Sequence, residues 1–301
     1  MIEIDAKTKN ANFESFRKVY FSDSQDFKTQ LLPIWTGKFS SLISLEQNHK
    51  IGNYYKKFNQ GTIVMVDFGV RIGGEISGGH FGVVLNKEDN KHERNIIVVP
   101  LTSKEKNRYV SLDYEVMEEC SKLLNKRSDS CLQKIESLEK EKDAFIKEFQ
   151  DSNTHFSFSN EIETTVLREN GIEDTSSFKI NISSDLHSND DFYNTLNNLK
   201  THRNFSKAKN VKLFVGKAEI FLNKTNEINN KIVELQNEIQ LFNKLEERME
   251  RYTKSTYADV NNITTVSKLR AKKVSEYTIS GNISLSENSI NKLKTKLSSI
   301  I

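Results

Sequence analysis

Gly61 to Ser103 reads GTIVMVDFGVRIGGEISGGHFGVVLNKEDNKHERNIIVVPLTS, and this stretch decides the fold. It holds β-type runs at Thr62–Phe68, Gly82–Leu85 and Asn95–Leu101, rich in Val, Ile and Phe. Such residues suit a small, curved sheet, and close strand spacing predicts a barrel rather than a parallel sheet. Asn86–Arg94 has the length and charge of a surface hairpin connection, and Arg108–Leu112 is a weaker fourth run. Between the first two runs lies a glycine-rich loop carrying Glu75, Gly78, Gly79 and His80. The third run closes on Thr102 and Ser103. A carboxylate, an imidazole and two hydroxyls are thereby expected on neighbouring strand ends.

Outside this stretch the pattern is helical. Apolar points at Phe13, Phe16, Val19, Tyr20, Phe27, Leu31 and Leu32 predict helices within 11–58, with a break at Pro33 before Ile34, Trp35, Phe39, Leu42, Ile43 and Leu45. From Tyr114 the apolar residues Met117, Cys120, Leu124, Cys131, Ile135, Leu138, Phe145 and Phe149 recur at helical intervals. Ile228, Ile232, Leu235, Ile239, Phe242 and Met249 form a second such seam. Heptad-like seams of this kind predict an antiparallel, coiled-coil-like hairpin with arms of about 50–60 Å. The Asn/Ser/Asp-rich Ser152–Phe205 between them reads as a small tip subdomain or a partly mobile segment. Strand and turn character returns at Tyr257–Lys268, followed by a turn at Ser280–Asn282 and a last helix capped by Ser286 with the stripe Ile290, Leu293 and Leu297.

With 301 residues, 36% hydrophobic and 28% charged, the chain suits one large or two small domains. The formal charge of +3 permits a nucleic-acid partner without requiring one. No apolar run is long enough for a membrane span, and the N-terminus lacks the apolar core of a signal peptide, so a cytoplasmic protein with no membrane partner is expected. Cys120 and Cys131, eleven residues apart on one predicted helix, are too far apart to bond, so buried thiols are expected. The histidines at 49, 92, 155, 187 and 202 have no ligand-like spacing, and neither a metal nor any other cofactor is expected.

The segments around the strands resemble the MazF/PemK (Kid-like) toxin endoribonuclease family. Gly61–Phe68 is similar to its opening strand, and Gly73–Leu85 to its GSEQxGxRPxVVL loop without gaps. Val99-Pro100-Leu101-Thr102-Ser103 matches the strand ending in a functional threonine. Val260–Arg270 is similar to the later QIRTISKxRI strand, and Ser284–Ser286 with the closing helix to the C-terminal helix. Together these cover about a third of the chain. His80 stands where the family has its catalytic arginine, and Phe81 where it has proline.

The resemblance implies an α+β protein: an SH3-like barrel in two parts, 59–113 and 255–301, preceded by a helical extension (1–58) and interrupted by an inserted hairpin (114–254). It further implies a toxin of a toxin–antitoxin system, a homodimer that cleaves single-stranded RNA without a metal and is inhibited by a cognate antitoxin. The chemistry of the residues fits that role. Imidazole titrates near neutrality and moves protons well, so His80 is the candidate acid or base. Thr102 and Ser103 are candidates to contact the phosphate, and Glu75 to move a proton or bind a base edge. Arg71, Lys104, Lys106 and Arg108 are candidates for flanking phosphates, Gly78 and Gly79 for close backbone approach, and Phe68 and Phe81 for base stacking. Plainer roles stand beside these: a hydrogen-bonded core histidine, a strand-ending Thr-Ser, a loop acid, a core phenylalanine and a solvated basic face. Two other functions stay open, a catalytically silent RNA- or protein-binding module and a helical scaffold that docks a partner.

Overall fold

The computed structural model describes residues 4–151, 155–158, 160–173, 177–179, 190–250, 254–272 and 275–300. The protein is α+β, mixing long helices with an antiparallel sheet. It divides into two compact units, residues 1–126 with 243–301, and residues 127–242.

The first unit carries the sheet: β1 (Ile63–Asp67), β2 (Gly79–Val84), β3 (Asn95–Thr102), β4 (Val110–Ser111), β7 (Tyr257–Ala258) and β8 (Thr264–Ser267). The order is β1-β2-β3-β7-β4, with β8 also on β3, and every pairing is antiparallel. The second strand begins three residues before the sequence pattern predicts, so His80 lies in β2 and not in the loop. The ladder is prolonged because Phe68 N–H donates to the Gly78 carbonyl and Gly78 N–H to that of Gly69, each at 2.8 Å. Residues 257–267 form two strands separated by a single 3-10 turn at Val260–Asn262. The terminal strands β1 and β4 do not pair with each other among the described residues, so the ladder is open rather than a closed barrel.

The outer edge of β1 is nevertheless covered. Ile63 N–H donates to Ile283 O (2.9 Å), Gly281 N–H to Ile63 O (2.7 Å) and Met65 N–H to the Ser280 hydroxyl (2.9 Å). An edge without such partners would invite pairing with another chain. Ile63, Val83, Val99, Leu101 and Ala258 pack with Val116, Cys120 and Leu123, with Leu245 and Met249, and with Ile290 and Leu293. The Ser286 cap and the stripe of α7 (Glu287–Ser298) form as the pattern predicts. The Glu115 carboxylate also accepts from Ser286 N–H and the Ser289 hydroxyl at that helix start. On the other face Phe58, Val64, Val66, Phe68, Val84, Ile96, Val98 and Val266 form a second core.

Before the sheet run α1 (Ala6–Tyr20) and α2 (Phe27–Gln47), capped by Asp5 and Asp26. The expected break at Pro33 does not occur: the proline lies inside α2. Pro33 is exposed, so water can take the carbonyl left without a donor, and the Thr36 hydroxyl bonds the Leu32 carbonyl at 2.9 Å. Neither helix buries a residue fully.

The second unit holds most of α3 (Glu115–Asp151) and α6 (Lys209–Met249), helices of 37 and 41 residues. Within the unit the helices run antiparallel: Lys134 pairs with Glu238, and Glu141 with Lys231 and Lys224. Exposed pairs of this kind set register more than stability. The helix α6 starts well before its seam at Ile228, because Val211, Phe214, Val215, Ala218 and Leu222 are buried. They pack against Phe145, Phe149, Phe156, Val166, Leu167, Leu196 and Leu199. The tip therefore has its own core, made with a β5–β6 ribbon (His155–Ser157, Ser177–Lys179), α4 (Glu161–Glu169) and α5 (Asp190–Thr201). Buried Glu163 accepts from the Asn210 amide at 2.7 Å, at the start of α6. His187 and part of the expected tip segment lie outside the described residues. Both cysteines are buried free thiols, and burial pushes that of Cys120 up to about 12.

Candidate active site

The register of the sheet brings six expected residues together. In β2 His80 faces Val66 of β1, while in β3 Thr102 faces Tyr257 of β7. His80, Thr102, Ser103 and Lys104 line one cleft of about 360 Å³, with Gly79 and Phe81 also on its wall. Sequence reasoning missed Met65, Leu101, Val116, Lys254 and Thr256, which complete the lining. Thr256 and Lys254 arrive because β7 runs antiparallel to β3, a pairing that no local pattern near either residue announces.

Burial pushes the His80 pKa below its ordinary value. The Ser77 and Leu101 carbonyls favour the charged ring and oppose that shift, and the Lys104 ammonium adds to it. The imidazole is therefore neutral at pH 7, the state that can accept a proton. Thr102 is half-buried and its Oγ1 takes the Lys104 N–H at 3.1 Å, turning the chain after the strand. Ser103 and Lys104 are exposed. A neutral base, two hydroxyls and the ammonium groups of Lys104 and Lys254 can serve a substrate with a labile proton and a growing negative charge.

The remaining expected residues lie elsewhere. Phe68 is 1% exposed in the second core and presents no face to a base; its place is packing. Gly78, at φ +86°, is buried, and a Cβ there would sit 3.4 Å from Leu31 and Phe27 of α2. A helix thus covers the backbone expected to meet substrate. Glu75 is exposed and does not line the cleft; its carboxylate meets Arg71 Nη1 at 3.3 Å. Arg71 also donates from Nε to Phe68 O and from Nη2 to Thr264 Oγ1, both at 3.3 Å. Lys106 and Arg108 are exposed beside the Tyr109 ring and off the cleft. Among the described residues no cluster of His, Cys, Asp or Glu is arranged to hold a metal, and no helix is long and apolar enough to cross a membrane.

Residues 59–153 match the family model described as the PemK-like, MazF-like toxin of type II toxin–antitoxin systems. The chain carries a PemK-like segment. Neither a curated protein nor a solved structure matches the chain. The PemK-like residues include His80, Thr102, Ser103 and Lys104. They exclude α1, α2 and everything after residue 153, hence also Lys254 and Thr256. Of the PemK-like strands, β3 is paired by β7 and β8 of a tail that lies beyond the match.

Proposed function

We propose that this protein is a type II toxin that cleaves single-stranded RNA without a metal. The observation that carries the reading is the shared cleft of His80, Thr102, Ser103 and Lys104 inside the PemK-like segment. Neutral His80 takes the proton of a ribose 2′-OH, and that oxygen attacks the adjacent phosphorus. The P–O5′ bond breaks, and the imidazolium returns its proton to the departing 5′-oxygen. The products are a 2′,3′-cyclic phosphate and a 5′-OH. Thr102 and Ser103 hydroxyls, with Lys104 and Lys254, hold the non-bridging oxygens as their charge grows.

In this reading the open sheet is a partly closed, SH3-like barrel in two parts, 59–113 and 255–301. The helical segment 1–58 precedes it, and the coiled-coil-like hairpin 114–254 is inserted. The toxin acts in the cytoplasm as a homodimer and is restrained by a cognate antitoxin. Incubation with varied single-stranded RNAs in EDTA, with end-group mapping, tests the proposal. Cyclic phosphate and 5′-OH ends are expected, and their loss in His80→Ala; intact RNA throughout would overturn it.

A further inference from the structure

Two guanidinium groups are anchored side by side on consecutive carbonyls at the end of β1. Arg270 Nε donates to Asp67 O at 2.8 Å, and Arg71 Nε to Phe68 O at 3.3 Å. Arg270 also lies over the Trp35 ring, 5.0 Å from its centroid, and Trp35 is followed one turn along α2 by Phe39 at 5.8 Å. No acceptor among the described residues takes the terminal nitrogens of Arg270. Burial and the neighbouring Arg71 charge both pull the Arg270 pKa down, whereas Asp67 opposes them.

The local charges do not cancel. Lys38 occupies the Asp67 carboxylate at 2.7 Å, and Glu75 meets Arg71 at 3.3 Å. Lys28 adds a fourth cation, spent on the Gly73 carbonyl at 2.7 Å. Against these four cations stand two carboxylates, which leaves an excess of two positive charges around the loop. Paired like charges, half-withdrawn from water, are stabilised by an anion.

We propose that Arg270 and Arg71, with Trp35 and Phe39 of α2 beside them, form a subsite for a phosphodiester and its adjoining base on single-stranded nucleic acid. Alternating cations and exposed aromatic faces suit this ligand, since successive bases stack while phosphates are neutralised. Trp35 is half-exposed and Phe39 is 50% exposed. An acidic protein surface would use the charges but leave the ring row idle. Asp67, whose carbonyl anchors Arg270, pairs with Gly79, the neighbour of His80, so a strand through the cleft would pass the subsite. As a substrate subsite this rests on the nuclease reading; as a binding site it does not.

Trp35 is the chain's single tryptophan, so its fluorescence reports on the site directly. The full chain is titrated with a short oligodeoxythymidylate, which lacks the 2′-OH and cannot be cut by the proposed route. A saturable change in Trp35 emission is expected. Arg270→Gln and Arg71→Gln should each weaken it about tenfold and lower the salt slope by about one. No emission change, unaltered affinity in both arginine variants, or a response to polyglutamate but not to the oligonucleotide would overturn the subsite. Melting curves check that each variant folds; should Arg270→Gln fail, Arg270→Lys, which keeps the charge but not the planar fork, is expected to weaken binding to a lesser degree, and unchanged affinity there counts against the site. RNA cleavage separates the two readings. Cleavage with an unchanged KM in Arg270→Gln sinks the subsite alone, whereas oligonucleotide binding without any cleavage sinks the nuclease alone.

Discussion

The Lys268 ammonium lies 2.6 Å from Asp89 Oδ1, and the side chains are only 3% and 0% exposed. The same carboxylate accepts the Phe58 N–H at 2.8 Å through Oδ2, and Lys268 also bonds the Asn90 carbonyl at 3.1 Å. One buried ion pair therefore ties the β2–β3 connection to the chain leaving β8. Removing one partner strands the other charge. Asp89→Asn or Lys268→Met should each cost about 3–5 kcal/mol in denaturant unfolding. A cost below about 1 kcal/mol would show that water reaches the pair.

The pH dependence of His80 follows from its lowered pKa. The unfolded chain binds a proton at His80 more readily than the folded one, so stability rises with pH in this region. That contribution is fully present above pH 6.5 and is lost as pH falls through the depressed value. His80→Gln should flatten the slope of thermal stability just below pH 6.5. If His80 acts as the base, RNA cleavage should rise through the same interval and level off by neutrality.

Gly69 has φ +73°, and a Cβ there would approach the Trp35 ring to 2.7 Å. Gly69→Ala should cost about 1–2 kcal/mol for the left-handed backbone alone. Trp35 must also move, so α2 shifts from the loop and the emission of Trp35 should move to longer wavelength. An unchanged spectrum would mean that the helix yields without leaving.

Leu199 is fully buried in the tip core. Leu199→Ala should lower stability by about 2–5 kcal/mol. No residue of the cleft belongs to residues 127–242. Cleavage per folded molecule should therefore be unchanged, and a parallel loss of rate would give the second unit a part in the reaction.

The strands were legible because Val, Ile and Phe cluster between turn residues, and the approach of His80 to Thr102 followed from the order of the motifs. Both depend on near neighbours in the chain. What escaped depends on distant ones. Thr256 reaches the cleft through β3–β7 pairing, and Arg270 meets Arg71 across the loop, yet neither has a local signature. Phe68 reads as core or as platform until its neighbours are known. Pro33 shows a local rule overridden, since a proline on the wet side of a helix costs less than one inside.

The covering of β1 by Gly281 and Ile283 has a consequence for synthesis. A ribosome that has just finished β1–β3 has made none of their outer partners, and Met65 waits for Ser280, 215 residues away. At about 5–20 residues per second, that interval lasts on the order of 10–40 s. The nascent sheet spends this time with an unprotected edge, and translation itself holds back the finished cleft.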